Sequence, residues 1–210
     1  YAYNAEINGE YLFANKIKFS GSLFYTYLTN ALTIAPSQLN GKDSILYDKE
    51  ISKVQKLVNQ NYAAVYGAQL SIQYEISPIL NLKSSYTILG SHASNGEPIR
   101  HITPNFGGTS LTYNLTKWQL IAYATYNQEF KNSQFTVNEQ EDEHLYAKDE
   151  NELPYSPAWA IFNLRCIYPI ADKININIAI ENIRDKSYRP YSSGITAPGR
   201  NFTISLQAQL

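Results

Sequence analysis

The sequence predicts an all-β fold, an antiparallel up-and-down barrel that crosses a membrane, on three observations. Apolar and polar residues alternate with a period of two over long stretches. Short and long connections alternate strictly along the chain. The alternating stretches run to about ten residues or more, the length a tilted strand needs to cross hydrocarbon, against about five or six in ordinary soluble strands.

The alternation is cleanest near the C-terminus, where Ile174, Ile176, Ile178 and Ile180 flank Asn175 and Asn177. Phe202, Ile204, Leu206, Ala208 and Leu210 alternate with Thr203, Ser205, Gln207 and Gln209. Upstream, Tyr62, Ala64, Tyr66, Ala68, Leu70, Ile72, Tyr74 and Ile76 share one face, opposite Gly67, Gln69, Ser71, Gln73 and Glu75. A helix would scatter these residues around its circumference, whereas a strand sorts them onto two faces. Further strands are expected at 1–12, 16–33, 80–91, 105–115, 118–131 and 158–169, for about nine in all, with little helix.

Tight turns are expected at 13–15, 77–79, 114–117 and 170–172, and long polar segments at 34–56, 92–104, 132–157 and 184–200. A soluble sandwich has no reason to gather its long loops at one end, but an outer-membrane barrel has short periplasmic turns and long extracellular loops. A last strand running toward the periplasm places every short turn on that side. The apolar face then meets lipid and the polar face a hydrated or plugged lumen. Nine strands leave two open edges, and unpaired backbone in lipid costs several kcal/mol per group, so pairing with strands before Tyr1 is expected.

Composition narrows the rest. The chain has 210 residues, 17 basic and 18 acidic side chains and a net charge of −1, which gives no polycationic field for nucleic acid. A single cysteine, Cys166, excludes an internal disulfide framework and a thiolate cluster. It falls on the lipid-facing parity with Phe162 and Leu164, as an inert small apolar side chain. Mean hydropathy is −0.34, and no apolar run approaches the ~20 residues of a membrane helix. Methionine is absent even at position 1, and no signal peptide opens the chain, so a trimmed piece with any export signal upstream is expected. Tyrosine reaches 18 residues. Ordinary cross-strand pairing would use such residues, but Tyr11, Phe13, Tyr27, Tyr62, Tyr113, Trp118, Tyr126, Trp159, Tyr168 and Phe202 fall near strand ends, where interfacial girdles form.

Three stretches carry a family likeness. Ile180-Glu181-Asn182-Ile183-Arg184-Asp185-Lys186-Ser187-Tyr188-Arg189-Pro190, followed by Ala197-Pro198-Gly199-Arg200-Asn201-Phe202, resembles the ending of TonB-dependent outer-membrane receptors. Glu97-Pro98-Ile99-Arg100-His101-Ile102-Thr103-Pro104-Asn105-Phe106 and Val65-Tyr66-Gly67-Ala68-Gln69-Leu70 resemble strand entries of the same family. The likeness spans most of 60–210; residues 1–59 fit in layout only. It implies a barrel of about 22 strands, of which 1–210 is the C-terminal portion. The N-terminal plug and the TonB-contact segment would lie upstream. It also implies active import of a scarce nutrient (siderophore-iron, haem, cobalamin or a glycan) at the bacterial outer membrane. The implied partners are the upstream part of the receptor, the TonB complex, outer-membrane lipid and lipopolysaccharide. Asn182, Asp185, Lys186, Tyr188, Pro198, Gly199, Arg200 and Phe202 match the ending and have architectural roles. Asn182 and Asp185 suit backbone hydrogen bonds at a strand exit, Pro198 and Gly199 a re-entry turn, and Arg200 an acidic partner at the rim. The family usually ends on an aromatic residue, where this chain has Leu210.

No nucleophile elbow, phosphate loop, dinucleotide fingerprint or zinc-protease motif occurs, so no catalytic residue, metal or cofactor is assigned. His92, His101 and His144 fall in or beside the long loops. They are haem or metal ligands or, with no second His or Cys at ligand spacing, solvated loop residues. The acidic run Glu139-Gln140-Glu141-Asp142-Glu143-His144 and Asp149–Glu152 either collects Ca²⁺, repels anionic lipopolysaccharide or forms a solvated mobile loop, and the last is expected since calcium-loop spacing and its central Gly are missing. Tyr146, Tyr155, Tyr188, Arg189, Tyr191 and Arg200 either line a binding vestibule or pack at the rim. An outer-membrane barrel enzyme of protease or lipase type, with a Ser or Asp beside His at the rim, and a passive porin or adhesin barrel are the alternatives.

Overall fold

The computed structural model describes residues 1–141 and 143–209. Leu210 and Asp142, both singled out above, lie outside the described residues. The strands are β1 (Ala2–Phe13), β2 (Ile17–Pro36), β3 (Ser44–Tyr47), β4 (Glu50–Lys53), β5 (Gln55–Ser77), β6 (Leu80–Ala93), β7 (Phe106–Asn114), β8 (Gln119–Asn127), β9 (Ala147–Lys148), β10 (Pro154–Tyr155), β11 (Trp159–Ala171), β12 (Ile174–Glu181) and β13 (Asn201–Ala208). Among the described residues the helical content is one short helix, α1 (Val137–Glu141), and two single 3₁₀ turns.

Nine strands form one antiparallel sheet in the order β1-β2-β5-β6-β7-β8-β11-β12-β13. Each main strand pairs with its neighbour along the chain, which is an up-and-down meander. Two small hairpins, β3–β4 and β9–β10, sit in the long connections.

All nine expected strands are present, with two boundary corrections. β2 and β5 are 20 and 23 residues long and pair out to Pro36 and Gln55, so the ladder takes in the two ends of the segment expected as a loop over 34–56, and the β3–β4 hairpin sits in the connection that remains. The strand expected to reach residue 131 ends at Asn127. Its alternation was extended by Phe130, whose ring instead leaves the sheet for an aromatic cluster in the loops.

Register decides the faces. Ile178 stands opposite Cys166 on one side and Ile204 on the other; Cys166 stands opposite Leu120, and Leu120 opposite Tyr113. Across the other half, Ile7, Leu23, Ala68 and Ile88 form one continuous row. The opposite face carries Asn8, Ser22, Gln69 and Thr87 in its matching row, and Asn175 and Asn177 at the far end. Cys166 therefore lies on the apolar parity, as expected.

The apolar face is uncovered. Ile178 is 45% exposed, Ile204 73%, Leu23 60% and Ile7 73%. The buried hydrophobic cluster of the described residues lies in the loops, at Phe130, Phe135 and Tyr146, with no dry core beneath the sheet. An apolar sheet face of this size left bare is what lipid solvates, since a water-soluble fold buries it.

Aromatic residues mark both borders of that face. Tyr11, Phe13, Tyr113, Trp118 and Tyr168 lie at the short-turn end, and Tyr25, Tyr27, Tyr62, Tyr66, Tyr126 and Phe202 toward the long-loop end. Tyr27 stacks on Tyr62 at 5.6 Å and Tyr25 on Tyr66 at 6.5 Å. Trp159 is the exception to the girdle expectation. It pairs with Asn127, which puts it on the polar face.

The short turns need little sequence. At 13–16 the Lys16 N–H donates to the Phe13 carbonyl at 3.0 Å, with Ala14 and Asn15 at φ +50° and +53°. Two successive positive φ values give the turn whose twist matches an antiparallel pair.

Ile178→Arg places a charge mid-strand on the apolar face and is expected to destabilise the folded protein by ~2–4 kcal/mol. Asn177→Arg on the opposite face is expected to be tolerated. Unfolding titrations in detergent or lipid compare the two; equal losses would contradict the facial assignment.

Candidate functional site

Three long connections, 94–105 after β6, 128–158 after β8 and 182–200 after β12, gather at one end of the sheet around the carboxylate of Glu139. Glu139 is only 1% exposed. Its local position is set by a capping box at the start of α1. The Glu139 N–H donates to Thr136 Oγ1 at 3.3 Å, and the Thr136 N–H donates back to Glu139 Oε2 at 3.0 Å. The Thr136 hydroxyl also donates to Oε2, at 3.0 Å. The two other loops bond to Oε1: the His101 N–H donates at 3.1 Å and the Tyr191 hydroxyl at 2.5 Å. One buried carboxylate thus accepts four hydrogen bonds from three loops.

This corrects the expectation of a solvated acidic run for Glu139. A buried charge survives only where donors replace its water, and here every donor is supplied by the loops. The signal was present in the sequence as Thr136-x-x-Glu139, a capping-box spacing. Asp149 is likewise engaged, since its Oδ1 accepts from the Asn151 and Leu153 N–H groups.

An aromatic cluster packs beside the carboxylate. Tyr191 lies 4.8 Å from Phe130 between ring centres, and Phe135 lies 4.4 Å from Tyr146. Burial, followed by the hydrogen bond to Glu139, raises the Tyr191 phenol well above its ordinary range. It therefore remains a neutral donor. Arg189 ties the third loop to the second by donating from Nη1 to the carbonyls of His144 and Leu145, at 3.2 and 3.1 Å.

Next to this cluster lies a cavity of about 370 Å³, lined among others by Tyr146, Tyr155, Trp159, Lys186, Tyr188 and Arg189. Tyr188 packs on Trp159 at 4.5 Å. Trp159 Nε1 is buried and has no hydrogen-bond acceptor among the described residues. The walls therefore offer aromatic faces and two cationic side chains to whatever enters. Tyr146, Tyr155, Tyr188 and Arg189 are thus brought together here, with Tyr191 and His101 behind them and exposed His144 contributing its carbonyl. His92 stands apart. It lies next to the end of β6 on the apolar parity, against Tyr62 and Tyr66, each 5.9 Å away. Trp159 was assigned to a girdle by sequence, and only its odd position in β11 distinguishes it from the outward residues.

The C-terminal motif is a closed hydrogen-bonded corner. Asn182, 2% exposed and at φ +49°, accepts the Lys186 N–H on Oδ1 at 2.9 Å and donates from Nδ2 to the Lys186 carbonyl at 2.9 Å and the Pro198 carbonyl at 3.3 Å. Its own N–H donates to Asn163 Oδ1 at 2.8 Å. Asp185 Oδ1 accepts the Arg200 N–H at 2.7 Å, and Gly199 is needed because a Cβ there would meet that oxygen at 2.5 Å. Arg200 departs from the expectation of an acidic side-chain partner: its Nε donates to the Ile183 carbonyl at 3.0 Å. Phe202 continues outward opposite Ile180.

Ser192, His101 and Glu139 meet, as a rim enzyme would require, but in the wrong arrangement. Ser192 Oγ lies 2.9 Å and Glu139 Oε1 4.0 Å from the same ring nitrogen, His101 Nδ1. A serine–histidine–carboxylate relay uses the two opposite ring nitrogens, so this contact fastens loops and does not activate a hydroxyl. Among the described residues no group of three or more His, Cys, Asp or Glu is placed to hold a metal ion.

A family model described as TonB dependent receptor-like, beta-barrel matches residues 1–183. No curated protein matches the chain. Among solved structures it is similar to the copper transporter OprC, at TM-score 0.75 and 14% identity over 99% of this chain and 31% of that one. It is also similar to the siderophore receptor PirA from Acinetobacter baumannii, at TM-score 0.70 and 15% identity over 99% and 31%. The FrpB iron transporter (F3-3 variant) from Neisseria meningitidis gives TM-score 0.68 and 15% identity over 99% and 30%. The chain spans under a third of the length of these structures.

Removing the charge by Glu139→Gln is expected to loosen all three loops together, and a double-mutant cycle with Tyr191→Phe to give a coupling of ~1.5–3 kcal/mol. Hydrogen exchange at the His101 and Thr136 amides measures it; additive effects would contradict a shared carboxylate. Because the Tyr191 phenol is raised, its contribution is complete below the usual tyrosine value of about 10 and is lost only as pH rises above it. Protection corrected for intrinsic exchange is therefore expected to stay flat from about pH 7 to 9 and to fall in stronger alkali, with the fall absent in Tyr191→Phe.

Proposed function

Because the chain belongs to the TonB-dependent receptor-like β-barrel family, we propose that it forms the C-terminal wall and outer loops of an active importer in the bacterial outer membrane. The cargo is a scarce small-molecule nutrient: siderophore-iron, haem, cobalamin or a glycan. The observation that carries this reading is the predominantly apolar face of a nine-stranded sheet, left bare and backed by a polar face on the other side. Such a face suits hydrocarbon outside and a hydrated or plugged lumen inside.

In this reading β1 and β13, the two edges of the described sheet, pair with further strands of the same receptor, because backbone groups in lipid need partners. The short turns lie in the periplasm and the Glu139-fastened loops outside. The upstream plug closes the lumen and contacts TonB, which relays the energy for uptake. Lipid and lipopolysaccharide surround the barrel.

The cavity beside Trp159 forms part of the nutrient-binding wall. Aromatic faces with Lys186 and Arg189 favour a flat, anionic compound or chelate. The loops are fastened to one another before any ligand arrives, so little ordering entropy is lost in forming the wall.

Uptake is tested by growth with each of the four nutrient classes as the limiting source. Growth is expected to vanish when TonB is deleted or the proton motive force collapsed; full transport without TonB would contradict the proposal. For the nutrient that supports growth, Lys186→Gln removes one of the two cations that line the cavity. It is expected to weaken binding by up to roughly tenfold, the equivalent of about 1.4 kcal/mol, while leaving TonB dependence intact. Unchanged affinity in Lys186→Gln would remove this cavity from the binding wall.

A further inference from the structure

The rim above β11, β12 and β13 carries two guanidinium groups on the apolar side of the sheet. Arg184 lies over the ring of Phe162, 5.0 Å from its centroid. Phe162 is 42% exposed and shares the apolar face with Leu164 and Cys166. Arg200 holds the carbonyl of Ile183, the residue before Arg184, through Nε at 3.0 Å. It lies two residues before Phe202, which is 69% exposed on the same face. Both arginines are exposed, and neither has a carboxylate partner among the described residues.

The neighbouring charges leave the corner cationic. Asp185 is the one carboxylate at its centre, and its Oδ1 is occupied by the Arg200 N–H. Glu181 faces the other side of the sheet, where the Tyr123 hydroxyl donates to it at 3.3 Å. Lys186 lines the cavity and adds a positive charge nearby. Guanidinium groups stranded at the border of an apolar band suit a ligand with phosphate oxygens above and acyl chains below. Free phosphate lacks the second half, and Phe162, Ile180 and Phe202 lie on the sheet face that hydrocarbon solvates in the membrane reading.

We propose that Arg184 and Arg200 form a site for the phosphate group of an acidic lipid in the leaflet facing the long loops, with its acyl chains lying on Phe162, Ile180 and Phe202. This rests on the membrane reading given above. The planar fork of each guanidinium meets the phosphate oxygens, and the Phe162 ring fixes the Arg184 side chain in place. The lipid thereby braces the corner that Asn182 closes, next to the wall of the cavity.

The intact receptor, purified in detergent, is incubated with diphosphoryl lipid A or with the same lipid after enzymatic dephosphorylation, and retained lipid is counted by native mass spectrometry. The protein is expected to retain the phosphorylated form about tenfold better. The double variant Arg184→Gln, Arg200→Gln should lose that preference while still showing the heat-modifiable migration of a folded barrel. Arg184→Lys keeps the charge without the fork and should fall between the two, which preserves the test if the double variant fails to fold. Millimolar inorganic phosphate should not displace the lipid; displacement would assign the site to free phosphate and overturn the proposal. Equal retention of both lipids, or an unchanged preference in the folded double variant, would overturn it as well. Failure of the receptor to insert into vesicles would overturn the membrane reading along with the site, whereas insertion without headgroup preference would overturn the site alone.

Discussion

Pairing of backbone groups inside hydrocarbon is the constraint from which the rest of this structure follows. A peptide N–H or C=O left without a partner in lipid costs several kcal/mol, so a chain crossing as strands must bond each strand to its neighbours. The nine-stranded meander does this, every main strand bonding to its predecessor along the chain. Once the ladder exists, the pleat assigns side chains to alternate faces, and one face must be oily. The Ile174–Ile180 series and the row Ile7, Leu23, Ala68, Ile88 are consequences of that requirement.

The loops obey a different rule, because they meet water and must make their own core. They do so with rings from Phe130, Phe135, Tyr146 and Tyr191 around one ionisable group, Glu139. A buried carboxylate is stable where donors surround it, and here those donors come from three separate connections. Its position makes loop order a joint property. The cavity wall next to it inherits that order through Tyr146 and Arg189, so the strands position the loops and the loops position the site.

Much of the fold was legible in the sequence because period-two patterning and turn length report directly on the face and direction of each strand. All nine strands, the parity of Cys166 and the short turns follow from it. What was misread failed for local reasons. Phe130 continues an alternating pattern but turns away once the ladder ends, and Ile34 looks like a loop residue although β2 carries it beyond residue 33. In the site, Asn182 and Gly199 were legible as corner residues, but the Arg200 bond to the Ile183 carbonyl was not, since a carbonyl leaves no mark in a side-chain sequence. Glu139 was hidden by its company: a carboxylate in an acidic run looks solvated unless its Thr136 cap is noticed. The family model also reaches further toward the N-terminus than the quoted motifs, covering residues 1–59 and stopping at 183. The early strands carry the family in their pattern and spacing and lack short signature runs.

The outward direction of the apolar face is the claim on which both membrane and transport readings stand. Its most direct measurement is fluorescence quenching along β12, with single labelled cysteines from 174 to 181 in a Cys166→Ala background, in bilayers containing brominated lipid. Labels at even positions should be quenched by the brominated chains and labels at odd positions by aqueous iodide, with a period of two. Quenching by iodide at every position, or a protein that stays folded and monodisperse in buffer without detergent, would contradict it.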